Sequence, residues 1–236
     1  MDKLIYFAED EANIRIAIAA FLEKEGYQVK AFETGDLLFE AFLSTVPDLV
    51  ILDVMMPGSS GFVICEQIRT TSNVPIIMLT ARGSDEDYTT GITLGSDDYL
   101  TKPFSPIKLV MRVKALFRRL EIADSATGSK DDTGSLLVRY ADIAINTDTM
   151  QSFCNGVELK LTITELNFLL YLLKNQEKAV ARDELLSAVW DYEVEVETRV
   201  TDDTVKRIRK KLATAGSKVV VETVWGFGFR VGMQDE

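Results

Sequence analysis

The sequence predicts an α/β domain built on a doubly wound, five-stranded parallel sheet, followed by a smaller α+β domain. Three observations predict it. Short apolar runs recur through the first half without polar alternation, separated by segments of helical spacing, which is how strands covered on both faces read. The stretch Glu121–Gly134 is rich in Ser, Gly, Thr and Asp and nearly devoid of large aliphatic residues, which divides the chain. Beyond it come short strands, three helices and a closing hairpin. The predicted organisation is therefore a domain over 1–119, a flexible linker over 120–134 and a second domain over 135–236; a structureless loop of that length is uncommon inside one compact domain.

Each element has its own signal. Leu4–Ala8 is an apolar run fit for a buried strand. From Asn13, Ile14, Ile18, Phe21 and Leu22 share one helical face. Leu49–Leu52 and Pro75–Leu79 are further buried strands, and Tyr99–Thr101 is a shorter one. Amphipathic helices are predicted over 35–44, 61–70, 86–94 and 106–118, the last with Leu109, Val113 and Leu116 at helical spacing. In the second half, Asn155-Gly156 joins two short strands and suits a type I′ hairpin turn. Helices are predicted from Thr164, over Arg182–Trp190 and from about Val200 to Ala213. Val219–Val231 reads as a hairpin with glycines at its turn.

Composition excludes several function classes. The chain of 236 residues has no histidine, so Ser-His and Cys-His catalysis and the common zinc sites are excluded. Two cysteines, Cys65 and Cys154, do not make a disulfide framework; both are expected in the core, and a reducing cytoplasm fits. No apolar run approaches the ~20 residues that span a bilayer, so no membrane association is expected, and the N-terminus lacks a signal-peptide pattern. With 26 Lys plus Arg against 37 Asp plus Glu, the net charge is -11, and neither half is net basic. Any nucleic-acid binding must come from a local cluster.

In open α/β sheets, ligands bind outside the carboxyl ends of the strands. Those ends supply Glu9 and Asp10 after the first strand, Asp53 after the third, Thr80 after the fourth and Lys102 after the fifth. Three clustered acids repel one another unless a cation sits among them, and hard oxygen ligands suit Mg²⁺. A magnesium ion beside a lysine and a hydroxyl is a set that stabilises a transferring phosphoryl group, with Asp53 placed as nucleophile. Acids in such loops also serve simply as helix caps; five functional groups on one rim favour the phosphoryl reading.

The pieces Glu9-Asp10-Glu11, Asp53-Val-Met-Met-Pro57 with Gly61, Leu79-Thr-Ala-Arg82 and Gly95-Ser-Asp-Asp-Tyr-Leu-Thr-Lys-Pro-Phe104 resemble the receiver domains of two-component response regulators, a flavodoxin-like fold. The resemblance covers residues 1–119. It implies that Asp53 accepts phosphate from a partner sensor histidine kinase. Mg²⁺ would be held by Asp10, Asp53 and the carbonyl of Met55, with Glu9 assisting. Thr80 and Lys102 would contact phosphoryl oxygens, Tyr99 would be the aromatic switch, and Lys102-Pro103 is a candidate cis peptide. Relatives dimerise on phosphorylation through the last strand and helices, where Asp97, Asp98 and Arg112 fit the pairing pattern. Tyr88, Thr93 and Lys108 depart from it, which predicts a weaker homodimer.

The third helix of the second domain carries five basic residues among positions 206–211. Val205, Ile208 and Leu212 face its core; Lys206, Arg207 and Lys210 lie opposite, Lys211 at an edge and Arg209 near the core boundary. Composition leaves two readings open: a major-groove recognition helix, or a solvated face whose basic end suits the macrodipole. Leu161–Leu170, Arg182–Leu186, Val189-Trp190, Arg199–Leu212 and Thr223-Val-Trp-Gly-Phe-Gly-Phe-Arg230 are similar to winged helix-turn-helix output domains of the OmpR/PhoB type. That similarity implies binding to double-stranded DNA, with the terminal hairpin as a minor-groove wing. Arg207 is the expected base reader, and Lys206, Arg209, Lys210, Lys211 and Arg230 are expected at phosphates. Trp225 stands where relatives often have a basic residue. Asp203 and Thr204 also differ from common choices.

The sequence thus predicts a phosphorylation-controlled transcriptional regulator that binds tandem direct repeats as a dimer and is not an enzyme. The loop at 191–197, before the recognition helix, is where relatives can contact RNA polymerase. Two other readings stay open. One is a DNA-binding regulator whose receiver is constitutive and independent of phosphate. The other is an aspartyl-phosphate hydrolase, which calls for a second acid two residues after the nucleophile, where this chain has Met55.

Overall fold

The computed structural model describes residues 3–81, 95–125, 137–190 and 199–234. The chain divides into two compact units, Met1–Lys114 and Ala115–Glu236. The expected helix over 86–94, Arg82, Tyr88, Thr93 and the acidic stretch 191–197 lie outside the described residues, as does most of the expected linker.

The first unit contains β1 (Leu4–Ala8), α1 (Ala12–Lys24), β2 (Gln28–Phe32), α2 (Gly35–Ser44), β3 (Leu49–Asp53), α3 (Gly61–Thr71), β4 (Ile76–Ala81) and β5 (Asp98–Lys102), and α4 (Pro106–Ser125) begins in it. All strand pairs are parallel, in the order β2-β1-β3-β4-β5. The order reverses between β1 and β3, which opens a crevice at their carboxyl ends, the usual ligand position in such sheets. Every residue of β3 is buried, and so are Ile5–Ala8 of β1. Burial on both faces is why these strands are unbroken apolar runs. Two helices are capped by side chains: Thr34 accepts from Leu37 N at 3.3 Å, and Ser60 from Val63 N at 3.5 Å.

Two elements correct the expectation. β2, Gln-Val-Lys-Ala-Phe, is an edge strand with mostly exposed residues, so no apolar run announced it. α4 runs to Ser125, six residues into the segment expected as linker from 120. Glu121, Ile122 and Ala123 bring adequate helix propensity, and nothing before Ser125 stops propagation.

The second unit opens with an antiparallel sheet of β6 (Leu137–Tyr140), β7 (Ile143–Asn146), β8 (Gln151–Cys154) and β9 (Val157–Glu158), paired in sequence order. Asn155 and Gly156 have φ of 49° and 82°, both positive as a type I′ turn requires. Then follow α5 (Ile163–Lys174), β10 (Val180–Ala181), α6 (Arg182–Trp190), α7 (Arg199–Thr214), β11 (Val219–Val224) and β12 (Gly228–Met233). β11 and β12 form the closing hairpin, with β10 added antiparallel to β12. One core gathers the apolar faces of all three helices: Phe168 and Leu172 of α5, Leu185 and Trp190 of α6, Ile208 and Leu212 of α7, with Phe229 of β12. Phe168 meets the Trp190 ring edge-on at 6.1 Å between centroids. Arg182, first residue of α6, ties it to α7 through two 3.0 Å bonds to Asp202 and lies over the Phe229 ring. Among the described residues, no helix is long and apolar enough to cross a membrane.

Candidate functional site

The crevice between β1 and β3 is lined by acids. Glu9 follows β1 and is fully buried, Asp10 beside it is exposed, and Asp53 ends β3 and is buried. One carboxylate oxygen from each lies within 4.8 Å of the other two. From the end of β5, Lys102 Nζ donates to both Glu9 oxygens at 2.8 and 2.7 Å and to Asp53 Oδ2 at 2.7 Å. Burial pushes the Glu9 carboxyl above the usual carboxylate range; the Lys102 bond opposes this and the Asp53 charge adds to it. Burial works against the Lys102 ammonium, but its bonds to Asp53 and Glu9 outweigh that and raise its pKa. Among the described residues, three acids face the Lys102 ammonium and leave an oxygen-rich crevice. That donor set fits a hard divalent cation such as Mg²⁺.

The loops around the crevice are held in place. Arg15 of α1 donates to the carbonyls of Glu9 and Asp10 at 2.6 and 2.9 Å. Met55 N donates to Asp53 Oδ1 at 3.3 Å, and Ser59 N to Asp36 Oδ2 at 3.0 Å, so the β3–α3 loop is pinned at both ends. Gly61 is required there: a Cβ on it would lie 2.1 Å from the Asp53 carbonyl oxygen. Thr80, on β4, and Tyr99, on β5, are both buried. The Tyr99 ring belongs to the core cluster containing Val54 and Met78, turned inward. Lys102-Pro103 is cis, as expected.

In the second unit, α7 presents less positive charge than its sequence suggests. Arg207 is 8% exposed; its Nε donates to Glu165 Oε1 at 3.0 Å and its Nη2 to Thr204 Oγ1 at 3.1 Å. Lys211 donates to Glu165 Oε2 at 2.6 Å and to the Lys160 carbonyl at 2.8 Å. Arg209 donates to the Val221 carbonyl at 2.6 Å and to Thr223 Oγ1 at 2.9 Å, which moors α7 to β11. Lys206 and Lys210 remain exposed, Lys206 with Asp203 at 2.9 Å. On the hairpin, Arg230 is exposed and paired with Glu222, and Trp225 at the turn is 92% exposed.

Residues 5–114 match the response regulator receiver domain, and residues 156–231 match the C-terminal domain of transcriptional regulatory proteins. The transcriptional regulatory protein ResD of Bacillus subtilis (strain 168) is 40% identical over 230 residues, covering 96% of this chain and 94% of that one. The chain belongs to the OmpR/PhoB family of two-component response regulators. The alkaline phosphatase synthesis transcriptional regulatory protein PhoP of the same organism is 36% identical, with 98% and 97% covered. A solved structure of a cysteine-to-serine mutant of RitR superposes with a TM-score of 0.76 at 26% identity, covering 99% of this chain and all of that one. The relatives are transcriptional regulators, and the C-terminal domain of this response regulator is a DNA-binding one.

Within this response regulator, several of the expected site residues make contacts inside the chain. Arg207, the expected base reader, is buried against Glu165, where it holds α7 on α5. Lys211 and Arg209 are likewise committed to the domain's own acceptors. Asp97 is not on an open dimer face: it is buried, accepts from Arg69 Nη2 at 2.8 Å and from Ile76 N at 3.0 Å, and joins α3 to the central sheet. Asp98 and Arg112 pair with each other at 2.8 Å within one chain. Lys108 is exposed on α4, flanked by Ile107 and Met111 at 62% and 64% exposure. Glu165 is the residue that sequence reasoning missed. A single acid inside the apolar run Ile163–Leu173 was the available signal, because an acid buried there needs a cation.

Proposed function

We propose that this protein is a transcriptional regulator switched by phosphorylation of Asp53, with a sensor histidine kinase as phosphodonor. The observation that carries this is the convergence of Glu9, Asp10, Asp53 and Lys102 at the sheet's switch point. An Asp53 carboxylate oxygen attacks the phosphorus of the donor's phosphohistidine; the P–N bond breaks, the imidazole leaves with its electron pair, and an acyl phosphate forms. Bound Mg²⁺, held by Asp10, Asp53 and the Met55 carbonyl with Glu9 assisting, would neutralise charge on the phosphoryl oxygens. Lys102, already 2.7 Å from Asp53, supplies a second positive charge beside the new phosphate. Thr80 donates to a phosphoryl oxygen, and the buried Tyr99 ring fills the space its loop vacates. Met55 offers no proton at the position where a hydrolase would place its general acid, which disfavours the phosphatase reading.

Phosphorylation then promotes a homodimer that binds tandem direct repeats of double-stranded DNA. The test is to footprint native protein on its own upstream DNA before and after treatment with acetyl phosphate and Mg²⁺. Tighter protection after treatment supports the reading; equal protection at equal protein concentration favours the constitutive receiver.

Two expectations follow from the side chains. Lys108 on facing protomers adds like charge, so sedimentation of the phosphorylated protein is expected to give a dimer of micromolar strength; a nanomolar dimer contradicts this. With three internal commitments among the α7 cations, Lys206, Lys210 and Arg230 remain for phosphates. The plot of log K against log salt is then expected to slope about -3 per domain at ~0.9 per contact. Lys210→Ala is expected to reduce that slope by about 0.9 and leave Tm unchanged.

A further inference from the structure

Trp225 is 92% exposed at the turn between β11 and β12, and Phe227, two residues later, is 49% exposed. Two bare aromatic side chains at one turn form an apolar tip, and such tips mark contact sites. The turn holds them out firmly. Phe227 N donates to the Val224 carbonyl at 3.0 Å, Gly226 sits at a φ of 72°, and six residue pairs join the strands below. Arg209 fastens the hairpin to α7 through Val221 and Thr223, so the tip is held on the helix that carries exposed Lys206 and Lys210. The hairpin carries one acid, Glu222, and Arg230 neutralises it at 2.6 Å. The hairpin itself is thus electrically neutral and presents an apolar ring, while the helix it is tied to supplies exposed Lys206 and Lys210 to attract a polyanion.

We infer that Trp225 enters the DNA minor groove as an apolar wedge, giving this protein a preference for easily unstacked base steps. The inference rests on the proposed DNA-binding role of α7. With that helix in the major groove, the moored hairpin faces the neighbouring minor groove, about 6 Å wide, which admits a ring edge but not two strands. Wedge side chains partly unstack a base step there, and pyrimidine–purine steps unstack most easily. Indole stacks on any base, so the contact reads deformability and not base identity.

The chain has two tryptophans, and Trp190 is fully buried, so a change in emission on binding reports Trp225. Full-length protein at low salt is titrated with two duplexes of equal composition, one carrying central TpA steps and one an A-tract without them. Labelled duplexes report affinity by anisotropy, and unlabelled ones report tryptophan emission. Quenching, about tenfold tighter binding to the TpA duplex, and loss of that preference in Trp225→Ala are expected, with Trp225→Phe keeping most of it. Binding by anisotropy with unmoved emission and an unaffected Trp225→Ala overturns the wedge while leaving DNA binding intact. No binding to either duplex removes both readings. Self-association of free protein that Trp225→Ala abolishes, with no quenching by DNA, assigns the tip to a protein contact and also overturns the wedge.

Discussion

Asp53→Asn is expected to take up no phosphate from acetyl phosphate under conditions that label the native protein, as read by phosphate-affinity electrophoresis. The amide has nearly the same shape but no nucleophilic oxygen anion, so the loss is complete and not graded. The same change removes one of three acids that face a single ammonium. Lys102 keeps its two bonds to Glu9 at 2.8 and 2.7 Å, so no buried cation is orphaned. In the absence of divalent cation, the Tm of Asp53→Asn is therefore expected to equal or slightly exceed that of the native protein. Native protein is also expected to gain Tm with added Mg²⁺, because a ligand that binds only the folded state stabilises it by mass action. Asp53→Asn is expected to lose most of that gain. Labelling of the variant at the native rate would place the acceptor elsewhere. A Tm drop of many degrees without magnesium would mean that the Lys102–Asp53 bond contributes more than the acids' repulsion costs.

The fold was legible where burial is two-sided. β1, β3 and β4 are apolar because both faces are covered, and their ends together with that of β5 mark out the rim of Glu9, Asp10, Asp53, Thr80 and Lys102 in the sequence itself. β2 was hidden because an edge strand with exposed side chains has no apolar run, and two-residue β10 is too short to have a pattern. Charged residues were harder to place for one physical reason: a charge pattern along one helix does not say which acid on another element will face it. Asp97 looked like surface because its partner, Arg69, lies 28 positions earlier on α3. The basic face of α7 was read as free because Glu165 comes from α5, 42 positions before Arg207. The exposed Lys206 and Lys210 were right for the surface, whereas Arg207, Arg209 and Lys211 serve to position the helix that carries them.

Glu165→Gln is expected to destabilise the C-terminal domain by about 3 kcal/mol, on the order of 10 °C in Tm, because it leaves buried Arg207 without its counter-charge. Glu165 has no exposure; besides Arg207 and Lys211, it accepts from Thr162 N at 2.9 Å, closing the N-terminal capping box of α5. Burial alone would raise its pKa, but the charges of Arg207 and Lys211 overcome that and hold the carboxyl below the ordinary range. A depressed folded-state pKa means that the unfolded chain binds the proton first as pH falls. The stabilisation is thus fully present above the unfolded value of about 4.3 and is lost as pH drops through the lower folded value. The gap in Tm between native protein and Glu165→Gln is accordingly expected to be constant near neutrality and to shrink below about pH 4. Trp190 emission follows this domain's melting, since its ring lies in the same core as Ile208 and Phe229. Pairing Glu165→Leu with Arg207→Met is expected to recover much of the loss, because removing both buried charges leaves only Lys211, one-third exposed and able to reach water. A single variant melting within 2 °C of native, or a gap that widens in acid, would show that this buried cluster does not hold α7 in place.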